Sequence, residues 1–95
     1  MKIYLTAIIK SKPEFREEVL AQLQEMVVST RKEAACLQYD LHQGITDENL
    51  FVFYEIWQDE AGLALHNEQP YIKAFGAMAA DKLAATPEIL LTKLL

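Results

Sequence analysis

Two strands and the loop between them can be read in residues 36–57, CLQYDLHQ-GITDEN-LFVFYEIW. In CLQYDLHQ, leucine and tyrosine alternate with polar side chains, which is the period-two pattern of a half-buried β-strand. Residues 44–49 are rich in turn-forming types, and residues 50–57 are β-branched or aromatic at most positions. This stretch therefore predicts an antiparallel β-hairpin.

The chain before the hairpin predicts a strand followed by a long helix. Residues 3–10, IYLTAIIK, form a short run of β-branched and aromatic types whose length is typical of a strand. Pro13 suits the first turn of a helix. From Phe15 to Ala34, apolar residues recur every three or four positions, as they do on one face of an amphipathic helix. We expect this helix to run to about Ala35.

The chain after the hairpin predicts a broken helix and a last strand. Asp59 can cap a short helix, Pro70 begins a second helical piece, and Pro87 ends it. Residues 88–94 then predict a strand. The resulting order, βαββαβ, is that of a ferredoxin-like sandwich. We therefore predict an α+β fold whose antiparallel four-stranded sheet carries both helical connections on one side.

Length and composition indicate one folded domain over residues 1–95. The chain is 52% hydrophobic and 24% charged, as globular proteins are and disordered ones are not. Nine basic and 14 acidic residues give a net charge of −5, which argues against a nucleic acid or an anionic membrane as a partner. Cys36 is the only cysteine, so an intramolecular disulfide and a cysteine-rich zinc cluster are excluded.

The sequence also predicts where the protein works. No stretch approaches the ~20 apolar residues of a membrane span. The residues after the first apolar run, Lys10-Ser11-Lys12-Pro13-Glu14, do not form a signal-peptide cleavage site. We therefore expect a cytoplasmic protein with no membrane contact.

The predicted strands are apolar on both faces. In the last strand, Ile89 and Leu91 alternate with Leu90 and Leu94, whereas an ordinary two-layer sandwich would solvate one face. Because one layer of helices covers one face, the other face would expose a larger apolar patch than a monomer normally carries. We expect a homodimer in which a second copy covers that face.

Strand alternation divides the side chains into two sets. One set is almost entirely apolar: Ile3, Leu5, Ala7, Ile9, Leu37, Tyr39, Leu41, Leu50, Val52, Tyr54 and Ile56. The other set mixes polar groups with aromatic rings: Tyr4, Thr6, Gln38, Asp40, His42, Phe51, Phe53, Glu55 and Trp57. Small-molecule sites are mostly apolar cavities with a few convergent polar groups, so the mixed set is the candidate binding face. Alternation alone does not say which set lies under the helices.

Common catalytic motifs are absent from the chain. There is no phosphate loop, dinucleotide-binding fingerprint, serine elbow or zinc helix. His42 and His66 are the only histidines, and with Glu55 they could form a two-histidine, one-carboxylate iron site. Neither histidine has a second metal-ligating residue near it in the sequence at a spacing typical of metal sites. We therefore expect no metal and no cofactor.

Four segments are informative together: EAACLQYDL at 33–41, NLFVFYEIW at 49–57, the Leu65-His66 pair, and PYIKAF at 70–75. They resemble the antibiotic biosynthesis monooxygenase family, which includes quinol monooxygenases, and the resemblance covers essentially the whole chain. It implies a dimeric α/β barrel of ferredoxin-like protomers. It also implies a pocket between the sheet and the helices of each protomer, lined by Trp57, which favours placing the mixed set under the helices.

The resemblance implies that an electron-rich aromatic, quinol-like or polyketide-like, is oxidised by dioxygen without metal or flavin. Because a deprotonated phenol is the better electron donor, the protein must supply a base and a dry aromatic slot. The candidate catalytic bases are Glu55, whose pKa burial would raise towards neutrality, His66 and His42. The candidate substrate-binding residues are Trp57, Phe53, Thr6, Tyr4, Tyr71 and Phe75.

Two positions depart from the family pattern. The family often has Pro-Gly or Glu-Gly where this chain has Ala34-Ala35, and often a histidine where it has Tyr71. Relatives also include isomerases and haem-degrading enzymes. Two alternatives therefore stay open: a small-molecule isomerase of the same fold, and a non-catalytic ligand-binding or stress-response dimer. The acidic net charge counts against a phosphorylated substrate.

Overall fold

The computed structural model describes residues 1–95 and confirms the predicted ferredoxin-like order of elements. The strands are β1 (Ile3–Lys10), β2 (Cys36–Gln43), β3 (Leu50–Trp57) and β4 (Glu88–Thr92). The helices are α1 (Arg16–Thr30), preceded by a 3-10 turn at Pro13–Phe15, α2 (Glu60–Asn67) and α3 (Pro70–Lys82). The strands form one antiparallel sheet in the order β2-β3-β1-β4. None of the helices has the length and the apolar run that crossing a membrane requires.

α1 ends at Thr30, so the prediction that it runs to about Ala35 is wrong. Side chains after Thr30 explain the early end. Arg31 turns towards the sheet, where its guanidinium donates to a carbonyl and to a carboxylate of β2, both at 3.1 Å. Glu33 turns inward, and its carboxylate accepts hydrogen bonds from two side chains of the later helices. After Thr30 the backbone continues in tighter turns, with hydrogen bonds from Lys32 N to Ser29 O and from Glu33 N to Thr30 O.

The registers of the sheet correct the predicted division of side chains into two faces. Ile3 of β1 pairs with Trp57 of β3, and Tyr39 of β2 pairs with Glu55 of β3. One face therefore carries Ile3, Leu5, Ala7 and Ile9 of β1, Tyr39 and Leu41 of β2, and Phe51, Phe53, Glu55 and Trp57 of β3. We predicted the side chains of β3 on the opposite faces. Phe51, Phe53, Glu55 and Trp57 were grouped with the even-numbered residues of β1, but they lie on the same face as its odd-numbered residues. Alternation within a strand follows from the sequence, but the register between strands does not, and a slip of one residue moves every side chain of a strand to the other face.

All three helices pack on this face, which we call the covered face. Val19 and Leu23 of α1 are fully buried, as are Phe51 and Trp57 of β3 beneath the helices. The apolar stripe predicted for α1 thus forms one core with the sheet.

The opposite side of the sheet, the open face, has no helix over it. It carries Tyr4, Thr6, Ile8, Asp40, His42, Leu50, Val52, Tyr54, Ile56 and Leu90. These side chains are half-buried or exposed, although most of them are apolar or aromatic. The chain by itself therefore leaves a broad apolar surface uncovered.

Candidate active site

A cavity of about 240 Å³ lies between the covered face and the helices. β2 contributes Tyr39 to its wall, β3 contributes Phe53 and Glu55, α2 contributes His66, and α3 contributes Phe75. Most of the other lining residues are aliphatic, and none is a lysine or an arginine. The cavity is thus a mainly apolar slot with a carboxyl group and an imidazole on its wall.

Glu55 projects from β3 into this cavity and is only 4% exposed. Trp57 lies two residues further along the strand, so both side chains point to the covered face. The Trp57 Nε1–H donates to Glu55 Oε1 at 2.8 Å. Burial raises the pKa of Glu55 to about 7, with the hydrogen bond from Trp57 opposing the rise and the negative charge of Glu33 adding to it. The carboxyl group can therefore exchange a proton near neutral pH.

α2 brings His66 to the cavity because Asp59 fixes where the helix begins. The Asp59 carboxylate accepts the Gly62 N–H at 2.8 Å, the capping contact that the sequence predicted. Leu63 and His66 are three residues apart and lie on the same side of the helix. Both are buried against the sheet.

His66 is held by contacts on three sides. Its ring centroid lies 4.4 Å from that of Trp57 and 5.7 Å from that of Tyr39. Its Nδ1 lies 2.8 Å from Glu33 Oε2, and the Tyr71 hydroxyl donates to the same oxygen. These contacts leave the imidazole little freedom to turn.

Glu33 was missed in the sequence analysis. It follows the C-terminal end of α1, where a negative charge interacts unfavourably with the helix dipole. An acidic residue at this end of a helix was the one feature of the sequence that could have indicated a functional role for Glu33. Burial, followed by the hydrogen bond to Glu33, raises the pKa of Tyr71 to about 12, so the Tyr71 hydroxyl stays protonated and remains a donor.

Three predicted site residues, Tyr4, Thr6 and His42, lie on the open face, and the sheet separates them from the cavity. His42 is exposed, and its Nδ1 lies 3.3 Å from the carbonyl oxygen of Val52. An iron site that combines His42 with residues of the covered face is therefore not assembled. No other group of three metal-ligating side chains occurs in the structure.

The remaining predicted residues lie in or beside the cavity. Phe53 and Phe75 line it directly. Trp57 and Tyr71 do not line it but contact the residues that do: Trp57 through Glu55, and Tyr71 through the edge of the His66 ring, with centroids 6.4 Å apart.

A larger and more open cavity of about 570 Å³ adjoins the first, near the start of β1 and the end of β4. We call this one the outer cavity and the first one the inner cavity. The two cavities share Leu63, Asn67 and Leu91 as lining residues. The outer cavity also has polar lining, which includes Glu60 and Lys93. The two cavities are therefore neighbours on the same side of α2.

Known proteins share both the sequence and the shape of this chain. The family model described as "Antibiotic biosynthesis monooxygenase" matches residues 2–78. A Bacillus subtilis (strain 168) protein named "Putative monooxygenase YcnE" is 41% identical over 92 residues, which cover 97% of each chain. The solved structure of PA3566 from Pseudomonas aeruginosa has a TM-score of 0.93 at 33% identity, covering 99% of this chain and 94% of the other. The crystal structure of an antibiotic biosynthesis monooxygenase has a TM-score of 0.92 at 29% identity, over 98% of each chain.

The family match begins just before β1 and continues into α3, and so contains α1, α2, most of α3 and three of the four strands that build the inner cavity. The resemblance noted in the sequence is therefore confirmed, and the chain belongs to the antibiotic biosynthesis monooxygenase family.

Proposed function

We propose that the protein is a monooxygenase that oxidises a small quinol-like or polyketide-like aromatic with dioxygen and needs no metal or flavin. The observation that carries this proposal is the presence of two proton acceptors, Glu55 and His66, on the wall of one mainly apolar cavity. A quinol loses both of its O–H protons on oxidation, so two acceptors suit it better than one. Family membership supports the same reaction class.

The chemistry requires little from the protein beyond proton transfer and a dry site. Removing a phenolic proton gives an anion that can pass electrons to dioxygen. When a hydroquinone becomes a hydroxyquinone, one oxygen atom enters the ring and the other leaves as water, and the substrate itself supplies all the electrons. Glu55 takes the first proton in this proposal, and the apolar walls exclude water from the reactive anion.

The lining of the inner cavity favours a neutral aromatic over a phosphorylated compound. It contains no lysine or arginine to pair with a phosphate. Tyr39 and Phe53, with ring centroids 4.7 Å apart, offer aromatic surface instead. This composition counts against an isomerase that acts on a sugar phosphate.

Oxygen uptake tests the proposal directly. Purified protein treated with a chelator is mixed with benzo- and naphthohydroquinones, and dioxygen is followed with an electrode. We expect enzyme-dependent uptake that added metal and flavin do not change. His66→Gln is expected to lower kcat by ~10²- to 10⁴-fold, because it removes one acceptor.

His42→Gln is the matched variant, because it removes the other histidine of the chain, which lies on the open face. A rate loss in His42→Gln rather than in His66→Gln would place the reaction on the wrong side of the sheet for this proposal. Stabilisation by a quinol without any oxygen uptake would favour a binding protein instead.

We also propose that a second copy of the chain covers the open face, giving the dimeric barrel that the resemblance implies. The apolar surface of that face supports this pairing. Tyr54 lies in the middle of it, between Thr6 of β1 and Asp40 of β2, and is 37% exposed. In an isolated chain this position would tolerate a charge, whereas in a dimer the charge would be buried without a partner.

Tyr54→Glu is therefore expected to convert the dimer to a monomer, since an unpaired buried charge costs several kcal/mol. Light scattering at micromolar concentration measures this change as a halved mass. Leu65→Glu is the control: Leu65 is 64% exposed on α2, on the helical side, and its variant should stay dimeric. A wild-type protein that is monomeric would contradict the pairing.

A further inference from the structure

We propose that Glu33 is a positioning residue that holds His66 in the tautomer protonated at Nδ1, which leaves Nε2 as the proton acceptor on the cavity side. The catalytic part of this proposal rests on the proposed function, whereas the tautomer can be measured without any reaction.

The first argument is the direction of the hydrogen bonds at Glu33 Oε2. This oxygen receives the Tyr71 hydroxyl and lies 2.8 Å from His66 Nδ1. A carboxylate can only accept hydrogen bonds, so the imidazole must be the donor. A neutral imidazole carries one N–H. With that proton on Nδ1, Nε2 has a free lone pair.

The second argument is the orientation of the ring. His66 lines the inner cavity and Glu33 does not, so the Nδ1 edge faces away from the cavity towards the end of α1. Trp57 lies against the ring at 4.4 Å, and Tyr39 lies on another side at 5.7 Å. Both packing and hydrogen bonding therefore oppose a flip of the ring, which would put Cδ2 in the place of Nδ1 and Cε1 in the place of Nε2.

The third argument is the charge that forms when His66 accepts a proton. The phenolic O–H bond breaks, the Nε2–H bond forms, and the electron pair stays on the substrate oxygen. The resulting imidazolium lies beside the Glu33 carboxylate, whose side chain is 13% exposed. Charge-assisted hydrogen bonds of this kind are stronger than neutral ones. The same logic explains why a carboxylate orients the histidine in hydrolase triads.

The tautomer can be read from a two-bond proton–nitrogen NMR spectrum of the imidazole rings. The chain has two histidines, so a spectrum of the His42→Gln variant identifies which of the two imidazole signals belongs to His66. At about pH 8, where an ordinary histidine is neutral, we expect His66 of the wild-type protein to be protonated at Nδ1 alone. Protonation at Nε2, or a mixture of tautomers, would overturn the proposal without any variant.

Two variants then assign the effect to Glu33. Glu33→Gln removes the charge while keeping the shape, and we expect the second tautomer to appear. Tyr71→Phe removes the other hydrogen bond to Glu33 and leaves the His66 contact in place, so the single tautomer should persist. The assignment to Glu33 would be overturned if His66 stayed protonated at Nδ1 alone in Glu33→Gln. It would also be overturned if His66 became a mixture of tautomers in Tyr71→Phe.

Kinetics separate this proposal from the proposed function. If quinols are oxidised, Glu33→Gln should lower kcat by ~10- to 100-fold with little change in KM, because the residue acts through His66. An unchanged kcat beside an altered tautomer would overturn the catalytic part. If the wild-type protein takes up no dioxygen, the proposed function fails, and the NMR result still decides whether Glu33 sets the tautomer.

Discussion

Replacing Glu55 by glutamine is expected to stabilise the folded protein by about 3 kcal/mol at about pH 8, and at the same time to suppress oxygen uptake. The cause is the raised pKa of Glu55, about 7 in the folded protein against a usual 4.5. At high pH the wild-type protein must keep an ionised carboxylate in a site with 4% exposure, whereas the glutamine variant does not.

The sign follows from proton linkage. Because the folded state binds the Glu55 proton more tightly than the unfolded state, this stabilisation is fully present below about pH 4.5. It is lost as the pH rises towards about 7, where the folded carboxyl group ionises. Urea unfolding of wild-type and Glu55→Gln proteins should therefore give similar free energies of unfolding below about pH 4.5, a difference that grows between about pH 4.5 and 7, and a constant difference above that.

Glu25→Gln is a matched control for this experiment. Glu25 is exposed on α1 and takes part in no salt bridge, so its replacement should change the free energy of unfolding by less than about 0.5 kcal/mol. If Glu55→Gln is no more stable than the wild-type protein at high pH, Glu55 does not carry a buried charge. If its oxygen uptake is unchanged, Glu55 does not take the phenolic proton.

Trp57→Ala should cost about 3–5 kcal/mol of stability, the range found when large aromatic side chains are removed from cores. Trp57 is fully buried and lies against His66, and it gives Glu55 a hydrogen bond. Its loss leaves a void beside the cavity and an unsatisfied carboxyl oxygen. Thermal and urea unfolding, followed by circular dichroism, measure the effect.

Trp57→Phe separates packing from hydrogen bonding. Phenylalanine fills much of the space but lacks the N–H, so we expect a smaller loss of about 1–3 kcal/mol. The hydrogen bond from Trp57 lowers the pKa of Glu55, so in this variant the loss of stability should begin at the same pH but continue to a higher pH. An unshifted pH profile would show that the hydrogen bond does not act on Glu55.

The fold was predictable from the sequence because each element carries its own local signal. The alternation in β2, the cap at Asp59 and the start of α3 at Pro70 each depend on residues close in the chain, whereas α3 ends at Lys82 and not at Pro87 as predicted. The registers between strands were not predictable, because they depend on how the whole sheet packs under the helices. For this reason β3 was grouped with the wrong face.

The candidate site was predictable in part for the same reason. Glu55 and Trp57 are neighbours on one strand, so their shared face follows from spacing alone. Glu33 is 33 positions from His66, and their contact exists only because α1 ends early and its following turn meets α2. No pattern among residues that are close in the sequence predicts such a contact.

The strand order also determines when a nascent chain can fold. β1 leaves the ribosome first, yet it lies in the middle of the sheet, between β3 and β4. One edge of β1 can therefore pair only after β3 has been translated, and the other edge can pair only after β4 has been translated. Such distant pairings delay folding because the intervening chain must be closed into a loop first. Until Glu88–Thr92 emerges, the apolar β1 has an unpaired edge, and an unpaired edge of this kind favours aggregation of the unfinished polypeptide.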